Sequence, residues 1–421
     1  VKRDQSAKMN AGQINWETGT WKRPNRGKSA AEITIAGDWA PIRDFSDTIL
    51  ENPEAVYGDL LPVLRDSHLR LVNLECSLVD GGTAVHKSGA VFKGVSGHID
   101  GLTTVPFEVA TLGNNHVFDY GTDAFVRTRD LLRKNGIQNT GAGLSLAEAE
   151  KPLLLTVNGV NIGIISFSEG EDLTAACRGK PGVFGWGVDR VVDLVKEIRS
   201  DAHVVIVICH GGVEYIPFPP PYLAEALQRI AEAGADLVIG HHPHVPQGVQ
   251  IHKGVPICFS LGNFVFFQPT DLQYRKIGYL VKANVAADGV GAIRIIPYEI
   301  GSDRLMLLKA EKLRRTLKKL DALSEPLTHA KGIADAWHGF LKYYGVSGFK
   351  EEITHIMDRF DNERPKGAAM FRNRLTTLQH YHHLTDLMTR IMEGTLETAP
   401  AWAVAFVAEY LTRKVSDGLP E

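Results

Sequence analysis

Five short apolar runs, each stopping at a residue able to bind a metal ion, constrain this chain more than any other feature. Ile33-Thr34-Ile35-Ala36 ends at Gly37-Asp38, and Leu69–Leu74 ends at Glu75. Phe107–Leu112 runs into Gly113-Asn114-Asn115-His116, and Val204–Cys209 into His210. Leu237-Val238-Ile239 stops at Gly240, followed by His241, His242 and His244. Runs of this length, closed by glycine or polar residues, read as buried strands that hand a loop to a site. Helical patterns separate them, over Pro53–Arg65, Thr122–Lys134, Asp189–Arg199 and Pro219–Ala233. Strands alternating with helices predict an α/β layered fold with parallel strands. In such sheets the C-terminal strand ends face one crevice, so the five groups can converge.

The converging set is chemically mixed. It offers the carboxylates of Asp38 and Glu75, the amide of Asn115 beside His116, and the imidazoles of His210, His242 and His244. A single such residue is usually a helix cap or a satisfied core group. Together they suit one or two divalent ions among Mn, Fe, Zn, Ca and Mg, and several histidines favour the transition metals. On extended backbone His242 and His244, two apart, would share a side, with Pro243 limiting their freedom and His241 left as a neighbour.

Length divides the chain. At 421 residues it exceeds one ordinary core. Residues 1–31 are polar and read as an arm with little core of its own, 32–310 as the catalytic domain, and 311–421 as a helical extension. Within that extension Ile333–Tyr344, Phe371–Met392 and Ala401–Tyr410 carry helical periodicity, and His380, His382 and His383 read as an ordinary polar helix face. Asn158-Gly159 predicts a hairpin inside Lys151–Phe167, and Gly278–Ala286 with Val290–Ile300 predicts a closing strand pair. A net charge of −3 with no basic stripe argues against a nucleic-acid partner. Four cysteines without CxxC spacing predict neither a zinc ribbon nor a disulfide framework. No stretch of eighteen apolar residues predicts a membrane span, and the first residues lack an apolar signal core. The expected compartment is the cytoplasm, or an exported or membrane-associated location if an upstream segment has been removed from Val1.

Several motifs together carry a resemblance. Gly37-Asp38, Asn73-Leu74-Glu75, Asn114-Asn115-His116 with Asp119-Tyr120-Gly121, His210-Gly-Gly-Val-Glu214-Tyr215, Gly240-His-His-Pro-His244 and Leu261-Gly-Asn263-Phe264 resemble the CapA/PgsA family of capsule and poly-γ-glutamate synthesis. That family is similar in turn to the calcineurin-like metallophosphoesterases. The resemblance implies a four-layer α-β-β-α sandwich with a metal centre at the strand ends, and the helical extension read above makes a C-terminal appendage to it. It implies Asp38, Glu75, Asn115, His210, His242 and His244 as ligands, with Glu75 placed to bridge two ions. By the same likeness His116 is the acid/base, Asp119 orients its imidazole, and Glu214 is a supporting or substrate-contacting group beside His210.

Some residues depart from the pattern. Asp38-Trp39-Ala40 lacks the usual imidazole two residues after the aspartate, Glu75 stands for a shorter aspartate, and Cys76 for a glycine. Trp39, Phe264, Phe266 and Phe267 suggest an apolar rim. Three functions are therefore weighed. The first is metal-dependent hydrolysis of a phosphoester, polyglutamate or peptide substrate. The second is peptide epimerisation by His/Asp proton transfer at Cα, and the third a non-catalytic part of a capsule synthesis machine.

Overall fold

The computed structural model describes residues 12–24 and 29–418. Alternation along the strands of the first sheet sends Ile33, Ile35, Leu69, Leu71 and Val109 to one core and Val72, Leu74 and Ala110 to another. A period of two is what places successive side chains on opposite faces. The first core joins the two sheets and continues under the helices of the second sheet's outer face, and the second lies under the helices that cover the first sheet's outer face.

Eight described strands form the first sheet. Its order is Thr20–Lys22, Gly289–Ile300, Ile277–Ala286, Ala31–Trp39, Leu69–Leu74, Val109–Thr111 and Gln138–Thr140, with Leu305–Leu307 also paired to Gly289–Ile300. The second sheet runs Val249–His252, Val255–Cys258, Leu237–His241, Val204–His210, Val160–Ser168 and Leu153–Val157. Helices Val188–Ile198 and Pro221–Glu232 cover the outer face of the second sheet. The architecture is the expected α-β-β-α sandwich with C-terminal helices. Asn158 and Gly159 join two strands with φ of 49° and 79°, as a tight hairpin turn of the I′ kind requires.

Parallel pairing brings the functional ends together. Ala31–Trp39, Leu69–Leu74 and Val109–Thr111 run parallel in one sheet, as do Val160–Ser168, Val204–His210 and Leu237–His241 in the other. Between Ile35 and Asp38 the register slips by one residue against the neighbouring strand. Such a bulge re-aims a side chain at a strand end, here Asp38. Gly240 is required by space, because a Cβ there would lie 2.0 Å from the Phe259 carbonyl oxygen.

Other details differ from the sequence expectations. The polar arm is not free of the core: Thr20–Lys22 pairs with Gly289–Ile300, and Trp21 is buried. Residues 1–11 and 25–28 of that arm lie outside the described residues. The helix expected over 53–65 is a 3-10 segment, Ala55–Leu60, kinked at Gly58 before a short helix, Leu61–Arg65. Trp39, Phe264 and Phe266 are not rim residues but buried members of the second core, with the Trp39 indole donating to the Tyr57 hydroxyl.

The C-terminal helices share the first core, through Leu317, Leu320, Leu323, Ile333, Trp337 and Leu341. Helix Ala330–Asn362 breaks at Gly345, whose φ is 56°. The cluster at 380–383 is only in part a solvated face, with Tyr381 exposed. His383 is buried against the rings of Phe340 and Tyr344, and His380 lies beside Asn373 and Arg374. No helix among the described residues is long and apolar enough to cross a membrane.

Candidate metal centre

Asp38, Glu75, Asn115, His116, Asp119, His210, His242 and His244 all come to the strand ends, and all are buried. Asp38 accepts a hydrogen bond from Asn73 at 2.8 Å and lies 3.1 Å from His241 Nδ1 and 3.4 Å from His244 Nδ1. His241, expected to be a mere neighbour, is therefore part of the constellation. Burial pushes the Asp38 carboxyl up, but hydrogen bonds and charge from His241 and His244 outweigh it and hold it well below the usual range.

Glu75 is the outlier. It is wholly buried, and neither carboxylate oxygen has a hydrogen-bond partner. Its Oε1 lies 3.2 Å from His210 Nε2 and 3.8 Å from His244 Nε2. Burial first, and then the charge of Asp38, push its carboxyl well above the ordinary value. Burying an unpaired charge is costly unless it is paired or holds a cation. One ligand atom each from Glu75, His242 and His244 lie within 4.8 Å of one another. Orphaned carboxylate oxygens beside imidazole nitrogens fit a divalent ion. Asn263 Nδ2 is orphaned at the same place.

The two loop histidines converge differently from the extended-backbone expectation. His242 has φ 99° and His244 φ 58°, both in the left-handed region that side chains seldom adopt. Such strain persists where the surroundings over-determine it, commonly at functional sites. His242 Nδ1 lies 3.2 Å from His210 Nε2, and His244 Nδ1 lies 2.8 Å from Asn263 Oδ1. Burial would pull the His244 imidazole down, but Glu75 and Asp38 outweigh it and raise it to about 10. For His210, burial and then the neighbouring His242 push the imidazole well below its usual value.

Beside the cluster stands a proton-handling pair. His116 Nδ1 lies 2.7 Å from Asp119 Oδ2, whose other oxygen accepts from Lys87 at 2.9 Å. Since a carboxylate only accepts, His116 carries its hydrogen on Nδ1 and leaves Nε2 as the basic nitrogen. Burial first, then Lys87, lower the His116 imidazole despite Asp119, so it rests neutral. Phe92 packs on His116 at 4.2 Å between ring centroids and Phe266 on His244 at 4.8 Å, giving one apolar wall. Glu214 is half-buried, and its charge raises both Glu75 and His244.

Sequence reasoning missed several members. Lys87 sits in an irregular polar stretch with no pattern to mark it. Glu169 and Glu171 follow strand Val160–Ser168, another strand end of the same sheet, so its position was the available signal. Tyr222 donates to Glu169 at 2.6 Å, and Gln379 of the C-terminal helices approaches His242 Nε2 at 3.4 Å. Burial pushes the Glu171 carboxyl up, but His242 and Lys87 outweigh it and lower it to about 2.

The chain is 31% identical over 217 residues to the PGA biosynthesis protein CapA of Bacillus subtilis, covering 51% of this chain and 56% of that one. It is 26% identical over 295 residues to a probable polyglutamine synthesis accessory protein of Mycobacterium tuberculosis, covering 63% of this chain and 76% of the relative. The chain thus spans only about half the length of its Bacillus relatives. Among solved structures a putative 5'-nucleotidase from Staphylococcus aureus aligns with a TM-score of 0.42 and 14% identity, over 68% of this chain and 58% of that one, a likeness that leaves the chemistry open. The family described as bacterial capsule synthesis protein PGA_cap matches residues 32–268, more than half of the chain and all of its strand-end motifs, and the chain belongs to that family.

Proposed function

We propose that the chain is a divalent-metal-dependent enzyme that hydrolyses a phosphoester or an amide of a peptide or (poly)glutamyl substrate in capsule or polyglutamate metabolism. The observation that carries this reading is Glu75, whose two oxygens are buried without hydrogen bonds while facing His210 and His244. Asp38, Glu75, Asn115, His210, His242 and His244 would hold the ion, and His241 would steady Asp38. A divalent ion held there supplies Lewis acidity toward a phosphoryl or carbonyl oxygen and lowers the pKa of water. His116 takes on Nε2 the proton of the attacking water and returns it to the leaving atom, while Asp119 fixes its tautomer and Lys87 keeps Asp119 ionised. Phe92 and Phe266 keep bulk water from His116 and His244.

The test uses metal-loaded protein with p-nitrophenyl phosphate, bis-p-nitrophenyl phosphate and γ-glutamyl-p-nitroanilide. Turnover of one class, lowered about 10²–10⁴-fold by His116→Ala, is expected. A metal-loaded chain inert toward all three contradicts hydrolysis.

A second reading, proton exchange at a peptide Cα, is favoured by the His116–Asp119 pair, 2.7 Å apart beside the aromatic wall of Phe92 and Phe266. Deuterium at a Cα after incubation of peptides in D₂O supports it, and no deuterium at any Cα rejects it. The mycobacterial relative's name describes an accessory protein. Biological function that survives both His210→Ala and His242→Ala would assign this chain a non-catalytic role instead.

A further inference from the structure

The amide of Asn115 is aimed by a relay that starts outside the part of the chain matched by the family. An amide binds a cation through its oxygen, because its NH₂ group only donates. Asn115 Nδ2 donates to Glu171 Oε2 at 2.7 Å, and Asn115 Oδ1 lies 2.9 Å from His210 Nε2. A carboxylate only accepts, so Glu171 dictates which end of the amide faces it and turns the oxygen toward the centre.

Glu171 is itself held. Asn373 Nδ2 donates to Glu171 Oε1 at 2.9 Å. Asn373 is 1% exposed, and its Oδ1 accepts from the Thr377 hydroxyl and, at 3.4 Å, from the Asp172 N–H. The same helix, Arg364–Thr376, is tied to the site wall by Lys366, which donates to the Lys87 carbonyl at 3.2 Å. On the other side, Gly170, Asp172 and Leu173 have φ of 72°, 55° and 62°, so left-handed backbone flanks Glu171, including at Leu173, a side chain seldom found in that region. The family match stops at residue 268.

We propose that Glu171 and Asn373 are positioning residues of the metal centre, and that the C-terminal helices are a working part of it. The proposal rests on Asn115 being a ligand, as in the function proposed above. Groups that orient a ligand are worth about 10–100-fold in metal affinity.

The experiment titrates chelator-treated full-length protein with Mn²⁺ and follows the free-ion EPR signal. Glu171→Gln and Asn373→Leu are each expected to weaken Mn²⁺ binding about 10–100-fold. Leu375→Ala, on the same helix and 66% exposed, leaves affinity unchanged. Thermal unfolding in chelator identifies any variant that has failed to fold, and Glu171→Gln, nearly equal in volume, guards against that outcome for Asn373→Leu. Wild-type affinity in a folded Glu171→Gln or Asn373→Leu chain overturns the proposal. A wild-type chain that takes up no Mn²⁺ contradicts the metal reading itself, a result distinguishable from the first.

Discussion

Gly240→Ala tests how closely the fold and the centre are joined. Gly240 ends the apolar run that delivers His241, His242 and His244, and its Cα faces the next segment of chain. An added Cβ would lie 2.0 Å from the Phe259 carbonyl oxygen, 2.7 Å from its carbon and 3.3 Å from the Cys258 carbonyl oxygen. Ordinary contact begins near 3.4 Å, so backbone on one side must retreat by roughly 1.4 Å. That movement is shared by two segments that both serve the site. One carries His242 and His244, and the other leads from Phe259 to Asn263, which touches His244 at 2.8 Å. Overpacking of this kind costs about 1–3 kcal/mol. The entropy that alanine removes from the unfolded chain returns only about 0.4–1 kcal/mol. Urea unfolding followed by tryptophan fluorescence is therefore expected to show a net loss of stability, and a Mn²⁺ titration a loss of affinity. Gly89→Ala is the control, since a Cβ there meets nothing within 4 Å. A Gly240→Ala chain with the stability and metal affinity of Gly89→Ala would refute the reasoning.

Further outcomes follow from the geometry. Metal needs a neutral imidazole, so uptake near pH 7 is expected to release a proton from His244, which stands at about 10; calorimetry in buffers of different ionisation enthalpy reads it. In the metal-free chain the same raised value contributes stability that is full below pH 6.5 and lost as pH rises toward about 10, and His244→Gln should flatten that decline. Asp119→Asn is expected to reduce turnover about 10²–10⁴-fold by releasing the His116 tautomer while leaving metal affinity intact, which separates proton handling from metal holding. Trp21→Ala should cost about 3–5 kcal/mol in urea unfolding, because Trp21 is 2% exposed and its strand completes the sheet.

What could be read from the sequence follows from what pattern encodes. Apolar runs mark buried strands, and parallel strands share an end, so the convergence of Asp38, Glu75, Asn115, His210 and His242 needed only the runs and the residues that stop them. Pattern does not encode what long-range packing decides. Lys87 lies on irregular chain and reaches Asp119 only because the tertiary fold closes over it. Asn373 is one polar residue on a helix whose inward face is set by neighbours far away in sequence. The left-handed backbone at His242 and His244 has no glycine to announce it, so the expected extended geometry was replaced by a turn. His241 reads as a mere neighbour in the sequence, yet its Nδ1 lies 3.1 Å from Asp38, a carboxylate some two hundred residues away that no local pattern pairs with it. The arm, polar in composition, hid a single buried tryptophan that makes it a strand.

Metal content, measured by mass spectrometry on the purified chain and on Glu75→Gln and His242→Ala variants prepared identically, tests the central claim most directly. One or two divalent ions per wild-type chain, lost or sharply reduced in both variants, is the predicted result. A wild-type chain that neither carries nor takes up a divalent ion, or variants that retain the full complement, would contradict a metal centre at these strand ends.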